Sequence, residues 1–110
     1  MPATVRFSIE AEEDLQALLT YVSAHAGVTI AKSFIEDIVA YCESFSTFPQ
    51  RGRIRNDIRL GLRIVGFRRR VSVAFVAGPD EVIVLGILYA GRDPARELKI
   101  DAPEPPKPLA

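Results

Sequence analysis

Eight arginines crowd residues 51–70 (Arg51, Arg53, Arg55, Arg59, Arg63, Arg68, Arg69 and Arg70), facing one acid, Asp57, and no lysine. A guanidinium presents paired donors in a flat fork, which suits carboxylate or phosphate better than an ammonium does. Residues 1–50 carry only Arg6 and Lys32 against seven acids, so a net charge of zero conceals a polarised molecule. The basic segment points to an acidic partner. Other chemistry is thinly supplied: one cysteine, Cys42, cannot close an internal disulfide, and one histidine, His25, cannot complete a Cys/His zinc site with it. No metal or cofactor is expected. Cys42, on an apolar helical stripe, fits a small buried residue, and His25 fits a helix end, where its charge would suit the dipole.

These side chains need a scaffold. With 110 residues, 48% of them hydrophobic, the chain has enough apolar mass for one core and too little length for two. Residues 1–100 are expected to form the single domain. The tail 101–110, with four prolines, should be extended and mobile. The first 25 residues lack a basic start followed by an apolar stretch, and the longest apolar run, Val82 to Tyr89, is far short of the roughly 20 residues of a membrane span. The expectation is a soluble, cytoplasmic protein without a membrane partner.

Thr4 to Ser8 alternates and contains Val5 and Phe7, which predicts a short first strand. Ser8 then serves as a helix N-cap, and Glu10, Glu12, Glu13 and Asp14 place negative charge at the positive end of the dipole. Ala11, Leu15, Leu18, Leu19 and Val22 form the apolar stripe of that helix, which Gly27 ends. After about four linking residues a second helix is predicted from Thr29, on the spacing of Ala31, Phe34, Ile35, Ile38, Cys42 and Phe45, ending before Pro49. From residue 61 the period becomes two. Leu62 and Ile64 fall on one face, and Arg63, Val65 and Phe67 on the other, predicted to point away from the helices. Val71 to Ala77 and Val82 to Tyr89 complete a three-stranded meander, and the last run barely alternates, as a strand screened on both faces does. A helical hairpin covers only one face. The second apolar face must be covered by the C-terminal segment or, as favoured here, by another chain.

Several segments in this order carry a family resemblance: Phe7-Ser8 and Asp14-Leu15; Phe48-Pro49-Gln50-Arg51-Gly52; Asp57-Ile58-Arg59-Leu60-Gly61-Leu62-Arg63; Val73-Ala74-Phe75; and Val82 to Tyr89 followed by Gly91-Arg92-Asp93. Together they resemble the ParE branch of the ParE/RelE superfamily of toxins from type II toxin–antitoxin pairs, over about residues 4 to 98. The resemblance implies an α+β fold: an N-terminal strand, an antiparallel helical hairpin, then a three-stranded antiparallel meander, with the helices on one sheet face. It also implies neutralisation by a ParD-like antitoxin and inhibition of DNA gyrase by binding. An acidic and apolar antitoxin tail would suit a surface made of Arg55, Arg59, Arg63, Val65, Phe67 and Arg92. The family often has histidine where this chain has Tyr89.

RelE-like relatives cut messenger RNA, and that reaction needs a base, an acid and cations for the phosphorane. Arg55, Arg59, Arg63 and Arg92 could hold phosphate, but arginine is no base near neutrality. A ribonuclease built from this chain would have to use Tyr89 with Arg63 and Arg92, and the tyrosine would need its pKa lowered by neighbouring guanidiniums. A third alternative is a nucleic-acid-binding module, for which Phe67 and Tyr89 are the few stacking platforms beside the arginines. Each group also has a plainer role. Arg68 to Arg70 can be solvated turn charges, and Arg51, Arg53 and Arg55 can pair with the acidic helices.

Overall fold

The computed structural model describes residues 3–68 and 70–89. Two helices lie on a five-stranded mixed sheet: β1 (Thr4–Phe7), α1 (Ile9–Ala26), α2 (Val28–Glu43), a 3₁₀ turn (Ser44–Ser46), β2 (Arg53–Ile54), β3 (Leu62–Phe67), β4 (Val71–Ala77) and β5 (Glu81–Tyr89). The strand order is β1-β5-β4-β3-β2, with β1 parallel to β5 and every other pair antiparallel. β1 and β2 are therefore opposite edges. The chain travels between them through the helical hairpin, which must cross one face of the sheet.

The expected strand, hairpin and meander are all present, with differences that have physical causes. Ser8 caps α1: its Oγ accepts a hydrogen bond from the Ala11 N–H at 3.0 Å. The turn between the helices is shorter than expected. Gly27 alone reverses the chain at φ 94°, a backbone value that glycine adopts without Cβ strain. The two-residue strand β2 was not foreseen, because Arg53-Ile54 is too short to show a period.

Docking of α1 is fixed by polar contacts at an irregularity. Between Ala74 and Phe75 the register of β4 on β5 shifts, and β1 pairs with β5 only as far as Val84. The backbone of β5 beyond that point is met by α1 instead. Asp14 accepts from the Ile87 N–H at 3.0 Å, Ser8 Oγ donates to the Leu85 carbonyl at 3.3 Å, and the Ser8 N–H reaches the Val84 carbonyl at 2.9 Å. These bonds satisfy ladder groups that would otherwise be orphaned.

The core lies between hairpin and sheet: Ala11, Leu18, Ile38, Cys42 and Phe45 meet Val71, Val73, Phe75, Val82, Val84 and Ile87, and Val65 and Phe67 pack against this cluster. Cross-strand register places Phe67 beside Val71, Val65 beside Val73 and Arg63 beside Phe75. Residues opposite one another share a face. Arg63, Val65 and Phe67 thus face the helices, correcting the expectation that they point away; alternation separates two faces but does not say which one the helices take. The far face carries Leu62, Ile64, Ala74, Val76, Ile83 and Leu88. Leu62, Ala74 and Leu88 are 0, 0 and 2% exposed, whereas Ile64, Val76 and Ile83 on the same face are half-buried.

Cys42 is fully buried, and burial, with a smaller push from the Glu43 charge, raises its thiol to about 12. Its part in the fold is packing. Among the described residues no helix is long and apolar enough to cross a membrane. Leu18, 5% exposed on the inner stripe of α1, tests the packing: Leu18→Ala should cost about 2–5 kcal/mol by urea denaturation, and a loss under about 1 kcal/mol would contradict its place in the core.

Candidate functional site

Arg53 and Arg55 lie at the β2–β3 edge, with Arg59 in the loop that joins the two strands, where the sheet ends and its backbone groups turn outward. The Arg55 N–H donates to the Leu62 carbonyl at 2.7 Å, so Leu62, Ile64 and Gly66 direct their peptide groups toward this edge by alternation. β2 covers only Arg63 and Ile64. Beyond its end lies an open groove of about 500 Å³ lined by Gly52, Arg53, Arg55, Ile64, Val65 and Gly66. Guanidiniums edge it, and apolar side chains and strand backbone form its floor.

Each arginine has a distinct setting. Arg51 lies over the rings of Phe48, Tyr41 and Phe45, at 5.3, 5.4 and 5.9 Å from their centroids, so it closes the end of the aromatic core. Arg63, on the helix side and half-buried, donates to the Arg51 carbonyl at 3.3 Å and ties the 48–52 segment to β3. Arg55 grips Asp57 in a two-pronged contact at 2.9 and 2.8 Å. Arg68, at the β3–β4 turn, pairs with Asp37 of α2 at 2.8 Å and stacks on Phe67. Arg53 and Arg59 are exposed and form no ion pair among the described residues. Arg70, next to the β3–β4 turn, is likewise exposed and without an ion pair among the described residues.

The candidate set is therefore split. Arg55 and Val65 line the groove and Arg59 sits in the β2–β3 loop outside it, whereas Phe67 packs against the core, stacked on Tyr41 at 4.7 Å between centroids. Arg63 clamps the groove wall from the helix side. Arg92, with Gly91 and Asp93, lies outside the described residues, as do Arg69 and the proline-rich tail.

Tyr89, the proton carrier required for a ribonuclease, is not beside Arg63. It sits opposite Val71, which pairs with Phe67, whereas Arg63 pairs with Phe75 four residues away. Four residues at about 3.3 Å and two strand spacings of about 4.8 Å separate the two backbones by roughly 16 Å. Tyr89 instead packs near Tyr21 and Phe34 and shares a groove with Val22, Ile30 and Arg68. Leu60, which the sequence offers only as part of the family motif at residues 57–63, is 85% exposed. Its local signal was an apolar residue in a polar turn with no stripe to join.

Two glycines separate strain from close approach. Gly52 and Gly61 have φ of 78° and 80°, but a Cβ at Gly52 would strike the Ile64 carbonyl, whereas at Gly61 it would meet open space. Gly61→Ala should cost about 1 kcal/mol and Gly52→Ala at least about 2 kcal/mol by urea denaturation; equal costs would contradict the packing of Gly52 on β3. The hydrogen-bonded Arg55 fork holds the Asp57 carboxyl below its ordinary 3.8. A depressed carboxylate contributes stability above its unfolded pKa and loses it as pH falls through the folded value. In an NMR titration Asp57 should have a midpoint below 3.8, and Arg55→Gln should return it toward 3.8; an unchanged midpoint would contradict the fork.

The family profile described as ParE toxin of type II toxin-antitoxin system, parDE, matches residues 5–94. A search of curated proteins by sequence finds no match. By structure, the chain resembles one from the chromosomal ParDE toxin–antitoxin system of P. aeruginosa, with a TM-score of 0.70 and 21% identity, covering 80% of this chain and 96% of that one. It also resembles one from the toxin–antitoxin complex RelBE2 of Mycobacterium tuberculosis, with a TM-score of 0.59 and 18% identity, covering 81% and 99%. Both likenesses show the shared α+β fold, and the profile shows the family. This chain belongs to the ParE toxin family of type II toxin–antitoxin systems.

Proposed function

We propose that this chain is the toxin of a ParDE-type pair, silenced in the cytoplasm by a cognate antitoxin and acting by binding DNA gyrase. The single observation that carries the antitoxin half of this reading is the groove at the β2–β3 edge, where Arg53 and Arg55 flank a floor of Ile64, Val65 and Gly66. A peptide that alternates carboxylates with apolar side chains matches that surface group for group. A carboxylate meets the exposed Arg53 guanidinium, apolar side chains cover Val65 and Ile64, and the peptide's backbone lies along a strand edge that β2 leaves open. Support for the class comes from the ParE family profile and from the ParDE and RelBE2 assemblies in which the similar folds occur.

The gyrase half rests on the family. A ribonuclease is less well supported, because Tyr89 and Arg63 belong to different ends of β3–β4–β5. A nucleic-acid module is less well supported too: of its two stacking platforms, Phe67 is engaged with Tyr41 and Tyr89 packs near Tyr21.

Purified protein added to gyrase and relaxed plasmid should stop supercoiling, and the product of the adjacent short reading frame should restore it. Unimpaired supercoiling, with fragmented messenger RNA in expressing cells, would replace this reading with the ribonuclease.

A further inference from the structure

The least covered large apolar side chain among the described residues is Leu60, 85% exposed. Lone exposed apolar residues are common and by themselves mean little. The loop that carries this one is unusual in being tied down by its own bonds. Ile58 and Arg59 N–H groups turn back to the Arg55 carbonyl at 3.1 and 3.3 Å, the Leu62 N–H reaches the Arg59 carbonyl at 3.0 Å, and Asn56 Oδ1 accepts from the Gly61 N–H at 2.7 Å. The Arg55–Asp57 fork spans the base of the turn. Gly61, at φ 80°, permits the exit. A side chain presented on a framework already ordered loses little conformational entropy when it is bound, which is what an interface anchor requires.

We infer that residues 55–61 form a preformed anchor that inserts Leu60 into an apolar socket, edged by carboxylates, on the protein this toxin acts upon. This rests on the toxin reading given above. The acidic rim follows from charge: Arg59, next to Leu60 and, like it, outside the groove lining, is exposed and forms no ion pair among the described residues. The occupant is the target and not the antitoxin because Leu60 does not line the groove assigned to the antitoxin. The two proteins then use adjoining surfaces.

The test compares wild type, Leu60→Ser and Leu60→Met in three readouts: survival of cells on induction, affinity for the product of the adjacent reading frame by calorimetry, and self-association by sedimentation. Thermal melting confirms that each variant folds. Leu60→Ser should raise survival at least tenfold while its affinity for the antitoxin stays within twofold, and Leu60→Met should retain most of the toxicity. Full toxicity of folded Leu60→Ser overturns the inference alone. Affinity lost in step with toxicity assigns Leu60 to the antitoxin, and a change in self-association assigns it to a second copy; each overturns the inference. A wild-type chain that leaves growth unaffected removes the toxin reading and this inference together.

Discussion

Placement of β1 and β2 on opposite edges of the sheet is the constraint from which the rest follows. A chain that must travel from one edge to the other with two helices has to lay them across a face, and whichever face they take becomes the core. Asp14 and Ser8 secure that crossing by bonding to the backbone of β5 where its pairing with β1 ends. The apolar stripe of α1 then lands on Val82, Val84 and Ile87, and α2 is carried onto Phe75 through Phe45, whose ring stacks on it at 4.4 Å.

The same constraint separates the charges. Glu10, Glu12 and Glu13 follow directly from β1 at one edge, and the arginines of β2, β3 and the intervening loop occupy the other. Of the three ion pairs among the described residues, only Arg68–Asp37 joins the basic segment to a helix, and all three are partly exposed. Pairs of that kind contribute about 0–1 kcal/mol, so they trim the polarity without cancelling it. Among the described residues these pairs leave the edge basic. What Arg51 and Arg63 add is support: one covers aromatic rings and the other holds the backbone at Arg51, so the groove wall behind the exposed arginines is fixed.

Much of the fold was legible in the sequence because its signals are local. Ser8 with its acidic first turn, the stripes through Leu18 and Ile38, and the alternation of β3 and β4 each sit within a few residues of one another. Non-local features were harder to find. That Val65 and Phe67 face the helices depends on the register of β3 on β4, which no period encodes. The role of Asp14 is set by a backbone group 73 residues away. The candidate site was legible as a composition of arginines but not as a geometry. Nothing local in the sequence separates Arg63 and Tyr89 from their neighbours, and only the pairing of strands shows that one supports the groove while the other belongs to a separate aromatic cluster.

The central claim is that the edge formed by β2, β3 and the 51–55 segment receives the antitoxin. Amide hydrogen exchange of the free protein and of its complex with the product of the adjacent reading frame tests it most directly. The account predicts protection gained on binding at residues 51–55 and 64–66, with little change along the exposed side of α1. Protection confined to α1 and β1, with the arginine edge exchanging as in the free chain, would contradict it.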